Sequence, residues 1–169
     1  MNKDSTAGPL VALICLTVFV SVFIIYTAQY LPSTVATHFG ADNRASGWMT
    51  RHGYVLFMLS FLIGVPAFIS FVVAVLPRRY PRWTNVPNRE YWLSAARRDE
   101  SLSYLLAHGM RLACLMVMMM LGTHYTIFVA NRLQPPALPV GIFSSTLIGF
   151  AVALLWWIVR LYRRFARPR

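Results

Sequence analysis

Acid is scarce in this 169-residue chain, which holds only five Asp and Glu, and charged residues of both signs make up 12% of it. Water-soluble domains carry roughly 25% charged residues, so the chain lacks the polar surface of a soluble globule. Cysteine is rarer still. Cys15 and Cys114 are the two in the sequence. Both fall in apolar stretches, which favours small buried hydrophobes over a disulfide. Scarce acid also argues against an enzyme, because hydrolysis by paired carboxylates or by an activated nucleophile has few groups to draw on.

Apolar residues fill the space instead, at 57% of the chain. No Lys, Arg, Asp or Glu occurs from Ser5 to Ala41, from Gly53 to Pro77, from Leu112 to Asn131, or from Leu133 to Val159. Each window holds the roughly 20 apolar residues that cross a hydrocarbon core of about 30 Å. Pro9 and Leu31-Pro32 bound the first window, whose apolar run is too long for a secretory leader and lacks a small-x-small cleavage site. Transmembrane helices are therefore expected near 9–30, 54–76, 108–131 and 141–162, joined by an outer loop at 31–53, a cytoplasmic segment at 77–107 and a second outer loop at 132–140. The expected fold is all-α, a single four-transmembrane-helix bundle spanning residues 1–169.

The net charge of +11 suggests nucleic acid until its distribution is read. With the N-terminus inside, Lys3, Arg78, Arg79, Arg82, Arg89, Arg97, Arg98, Arg111, Arg160, Arg163, Arg164, Arg167 and Arg169 fall on the cytoplasmic side. Only Arg44, Arg51 and Arg132 fall on the other. This asymmetry is the positive-inside pattern, so both termini are expected in the cytoplasm of a bacterial inner membrane. The arginines are read as topology determinants in contact with the lipid bilayer, and no nucleic-acid partner is expected.

Gly141, Ser145, Gly149 and Ala153 repeat every fourth position in the fourth window, a small-residue stripe that lets helices approach closely. It is expected to be buried against a helix of the same chain, a protein partner or a second protomer. Ser60 and Gly64 repeat the spacing before Pro66, which is expected to kink the second helix. Met116 and Met120 share a face but read as packing filler rather than copper ligands. Trp156 and Trp157 precede Arg160 as an aromatic belt would. In the cytoplasmic segment, Asn88 is a candidate N-cap for a short interfacial helix carrying Tyr91 and Trp92 and running through Arg97.

The most informative stretch runs from Leu31 to Trp48. Leu31, Pro32, Val35, Ala36, His38, Phe39, Gly47 and Trp48 resemble the signature of a bacterial membrane family called domain of unknown function 1648. Its pattern is Leu-Pro, two residues, Val or Ile, Pro or Ala, one residue, His, then Phe or Trp, with a Gly and an aromatic further on. Asn43 stands where that family usually has Gly, and Asn is the next most tolerant residue in a left-handed turn. The family includes the SdpI-like toxin-immunity and signalling proteins, so the resemblance implies an envelope-facing sensing, immunity-type or interaction role.

Pro32, Gly40, Asn43 and Gly47 let the loop fold as a compact cap over the outer mouth of the bundle, with Phe39 and Trp48 inserting at the interface. His124 and Asn131, seven residues apart, share a face of the third helix, and an ionisable residue at that depth is a functional candidate. The candidate site, a ligand site or a structural cap, is therefore His38, Phe39, Asp42, Trp48, His124 and Asn131. Three histidines, His38, His52 and His124, with Asp42, are candidates for a metal, although no tight ligand spacing joins them. Haem is not expected, because bis-His ligation needs histidine on two facing spans. No cofactor is expected. A transporter using His124 and the Pro66 kink is the alternative to an interaction protein.

Overall fold

The computed structural model describes residues 4–167. Lys3 and Arg169, counted above for topology, lie outside the described residues. Four helices are long and apolar enough to cross a membrane: α1 (Asp4–Ala28), α2 (Arg51–Arg79), α4 (Arg98–Ala130) and α5 (Val140–Phe165). Between α1 and α2 stand two strands, β1 (Thr34–Phe39) and β2 (Ala45–Thr50), and between α2 and α4 lie a 3-10 turn at Pro81–Trp83 and a one-turn helix, α3 (Arg89–Trp92).

The expected spans are all present, but two of the helices, α2 and α4, are longer than their charge-free windows. Thr50 ends β2 and at once caps α2, its hydroxyl accepting from the Gly53 amide at 3.1 Å. α2 therefore starts directly at the end of the hairpin. α4 begins at Arg98, ten residues before the expected start, because Asp99 and Glu100 in its first turn suit the positive helix N-terminus and carry the helix beyond its apolar part. α1 stops at Ala28 rather than at 30. Tyr30 and Leu31 turn back, their amides bonding the Thr27 and Ala28 carbonyls at 3.0 and 3.1 Å.

Helix α4 is the hub, packing against α1, α2 and α5, whereas α5 leans mainly on α4. The core joins Val20 and Ile24 of α1, Val35 of β1, Met58 and Leu62 of α2, and Ala113 and Val117 of α4. Outside it the surface is apolar: Val18, Val22, Phe68, Phe71, Ile148, Val152 and Leu155 are all exposed, while Thr27, Ser101, His108, His124 and Thr126 are buried. Apolar side chains outward and hydrogen-bonded polar ones inward is the arrangement a lipid bilayer requires. Cys15 belongs to that outer surface and is exposed, which corrects its reading as buried, and Cys114 is half-buried.

Close helix approach uses different glycines from those expected. A Cβ on Gly109 would run into the Val73 side chain of α2, and one on Gly122 into Thr146 of α5. By contrast, a Cβ on Gly141, Gly149 or Gly64 would meet nothing within 4 Å. Gly141, Ser145 and Gly149 are exposed and Ala153 is half-buried. The stripe is thus not buried within this chain. It borders a lateral groove of about 630 Å³ between α1, α4 and α5, whose other wall includes Phe19, Phe23, Met118 and Tyr125.

The segment before α4 also departs from expectation. Asn88 does not cap a surface helix; it takes a left-handed backbone at φ 51°, and α3 ends after one turn at Trp92. Its side-chain amide instead donates to the Phe165 and Ala166 carbonyls at the end of α5, both at 3.0 Å. Trp92 is buried at 4% exposure, packs on Phe165, and donates from Nε1 to the same Phe165 carbonyl at 2.9 Å. A helix end has carbonyls without intrahelical partners, and here two side chains from another segment satisfy them. Trp157 is likewise more than a belt residue. It stacks on His108 at 4.5 Å, and each side chain bonds the other's backbone carbonyl, at 2.9 and 3.1 Å, fastening α5 to α4.

Candidate functional site at the hairpin end

The outer loop is not a coil but an antiparallel hairpin, the one departure from an all-α fold among the described residues. Thr34 pairs with Thr50, Val35 with Met49, Ala36 with Trp48, His38 with Gly47, and Phe39 with Ala45. The register slips at Thr37 on one strand and at Ser46 on the other, so the two bulges compensate. Gly47 is required by this pairing rather than by a turn: a Cβ there would lie 2.8 Å from the His38 Cβ. Asn43 does take the left-handed conformation, at φ 62°. The Asn43 amide bonds the Gly40 carbonyl at 3.0 Å, and Asp42 accepts from the Arg44 amide at 3.1 Å. Asp42 is thereby a turn residue, and its ion pair with Arg44, at 3.9 Å, is exposed.

Three attachments hold the hairpin on the bundle. Asn131, at the end of α4, reads the Ala36 backbone in both directions: its Oδ1 accepts from the Ala36 amide at 2.8 Å and its Nδ2 donates to the Ala36 carbonyl at 2.9 Å. This mimics one rung of a strand pairing, with a side chain as the second strand. Val35 and Ala36 are both fully buried beneath it. Second, the Leu138 amide donates to the Asn43 carbonyl at 2.9 Å, tying the tip to the α4–α5 connection. Third, Arg51 sends one guanidinium nitrogen to the Gln29 and Leu31 carbonyls at 3.1 and 3.0 Å, placing a cation at the negative end of α1.

Below the hairpin His124 joins three spans and has no solvent exposure. Its Nε2 is 2.7 Å from the Thr27 hydroxyl of α1 and its Nδ1 is 2.8 Å from the Tyr54 hydroxyl of α2. Thr27 in turn donates to the Phe23 carbonyl at 2.6 Å. A hydroxyl has one proton to give, so Thr27 must accept from Nε2–H, which leaves Nδ1 to accept from Tyr54. One neutral tautomer therefore satisfies every donor and acceptor in the chain Tyr54, His124, Thr27, Phe23. Tyr54 also stacks on the imidazole at 5.8 Å between centroids, and Phe23 meets it edge-on at 5.8 Å.

The expected site therefore divides. Asn131 and His124 lie on the same side of α4 and act in one brace, but they serve Ala36 on one hand and Thr27 and Tyr54 on the other. His38 is exposed on β1 and is bound by neither. Trp48 is 51% exposed and Phe39 is half-buried against the core. His52 is exposed at the start of α2. The outer histidine cluster does not form, and among the described residues no group of three or more His, Cys, Asp or Glu is placed to hold a metal ion. Thr27 and Tyr54 were missed because Thr and Tyr in apolar helices carry no signal of their own. Their signal is depth: each lies within a turn of the hairpin end of its helix, as His124 lies within two.

These features define a polytopic membrane protein whose hairpin cap is locked onto a three-helix core through one asparagine and one buried histidine. Residues 13–64, from the middle of α1 through the hairpin into α2, match the family described as domain of unknown function (DUF1648). Thr27, Tyr54 and the whole hairpin fall inside the matched segment. No curated protein and no solved structure matches the chain.

Removing the Asn131 side chain leaves the Ala36 amide and carbonyl without partners. Asn131→Ala is expected to destabilise the fold by about 2 kcal/mol, the cost of stranding buried backbone groups. Hydrogen exchange at Ala36 should accelerate at least tenfold while the His124 region stays protected. Unchanged exchange at Ala36 would mean that the hairpin does not depend on this contact.

Proposed function

We propose that the chain is an SdpI-like protein of the bacterial cytoplasmic membrane, non-enzymatic, which uses its hairpin cap to sense or bind a factor in the cell envelope. The cap faces outward and both termini face the cytoplasm, in keeping with the concentration of arginines at the opposite end. The observation that carries the reading is the pre-formed hairpin. Its Ala36 backbone is held by Asn131 and Val35 is buried beside it, while Trp48 and His38 remain exposed. A fixed backbone presenting an aromatic and an imidazole has little ordering entropy left to lose on binding. The transport alternative draws on His124, but both ring nitrogens of His124 are already engaged within the protein.

A photo-crosslinking amino acid at Trp48, irradiated in intact cells, tests the reading. It should give a discrete protein adduct, whereas the same amino acid at Phe68, 67% exposed on the apolar surface, should give lipid adducts alone. Lipid adducts alone at both positions would contradict an interaction role for the cap.

A further inference from the structure

At the end opposite the hairpin, the chain carries a cavity of about 920 Å³ between α3, the start of α4 and the end of α5. Arg97, Arg163, Arg164 and Arg167 line it, with Glu100 as the one carboxylate. Glu100 is already bonded to Arg164 at 2.6 Å. Arg97 lies over the Tyr91 ring at 4.1 Å and Arg164 over Trp92 at 4.4 Å, so both are held in place by aromatic faces. Arg163 and Arg167 make no ion pair among the described residues.

A helix C-terminus ordinarily presents partial negative charge that would oppose an anion. Here Asn88 and Trp92 donate to the Phe165 and Ala166 carbonyls, which reduces that opposition. Tyr162, which also lines the cavity, is 61% exposed beside the aromatic belt of α5. That position sets the cavity at headgroup depth.

We propose that this cavity is a binding site for a phosphate group, held by Arg163 and Arg167 with the fixed Arg97 and Arg164 behind them. Guanidinium suits phosphate because its planar donors match paired phosphate oxygens. The phosphate arrives either on an anionic phospholipid headgroup or on a soluble phosphate compound, and basic pockets at this level of a membrane protein accept the former.

Native mass spectrometry of the full chain released from nanodiscs tests the site, comparing phosphatidylglycerol with phosphatidylcholine. The wild type should retain phosphatidylglycerol preferentially. The double variant Arg163→Gln with Arg167→Gln should lose that retention by about thirtyfold, two surface arginines at roughly 1 kcal/mol each. A charge-matched control, Arg78→Gln with Arg79→Gln at the same end of the molecule, should keep it. Displacement of the lipid by millimolar inorganic phosphate, or thermal stabilisation by phosphate alone that the Arg163→Gln, Arg167→Gln variant lacks, assigns the same site a soluble source. Equal retention of lipid and equal response to phosphate in the double variant and the control overturns the proposal. Neither substituted side chain makes an ion pair among the described residues, and an unchanged melting temperature without ligand confirms that the variant is folded.

Discussion

His124→Ala is expected to destabilise the folded chain by about 3 kcal/mol, measured by equilibrium unfolding in mixed micelles. Two effects add. Truncating a side chain with no solvent exposure leaves a cavity among Phe23, Tyr54 and Thr27. The Tyr54 hydroxyl also loses its acceptor in a region that offers no water in exchange. The loss should be shared across α1, α2 and α4, because the imidazole bonds directly to the first two from the third. Tyr54→Phe removes only one hydrogen bond and should cost about 1 kcal/mol. In a double-mutant cycle His124→Ala and Tyr54→Phe should be strongly non-additive, since the second removes a group the first has already stranded. A loss below about 1 kcal/mol for His124→Ala would mean that the brace is incidental to the fold.

Trp92→Ala carries the second large effect. The ring is 4% exposed, packs edge-on against Phe165 at 5.6 Å, lies under Arg164 and supplies an indole donor to the end of α5. Truncating a buried aromatic of this kind costs about 3–5 kcal/mol. The damage should be local. The amides of Tyr162 to Ala166 should lose exchange protection and the tail should become sensitive to protease, while the hairpin end stays intact. Trp92→Phe keeps most of the packing and loses the indole bond, so it should fall between wild type and alanine. Uniform loss of protection from both ends would contradict this division of the molecule into two separately fastened ends.

The spans were legible because the bilayer imposes one requirement, about 20 apolar residues without charge, and four windows meet it. The same criterion is blind to helix that continues past the apolar region. It therefore missed the first turns of α4, where Arg98, Asp99 and Glu100 are helical but charged. The hairpin was hidden for a different reason. A half-buried strand announces itself by alternation, and β1 buries Val35 and Ala36 in succession because Asn131 holds Ala36 against α4 and a bulge follows at Thr37. Asn43 was readable as a left-handed residue from its type alone, and the structure bears this out.

The candidate site was partly legible. His124 and Asn131 stood out as polar residues on one helical face, and both prove to be attachment points. Their partners depend on how the helices are rotated about their axes, which no local pattern specifies. His38 drew attention through the motif, yet its side chain lies on the exposed side of the hairpin, and the pairing with Gly47 explains why a glycine stands opposite it. The small-residue stripe of α5 misled for a related reason. Small residues permit close approach, but the contact to α4 is made by Gly122 against Thr146, and the stripe at Ser145, Gly149 and Ala153 turns toward the open groove.

On the proposed orientation the braced hairpin is the envelope-facing end of the molecule. Cysteine accessibility tests it most directly, in a background with Cys15→Ser and Cys114→Ser. His38→Cys, in the exposed part of β1, should react with a membrane-impermeant thiol reagent in intact cells. Ala96→Cys, exposed before α4, should react only after the membrane is permeabilised. Labelling of Ala96→Cys in intact cells with protection of His38→Cys would place the hairpin in the cytoplasm and contradict the account.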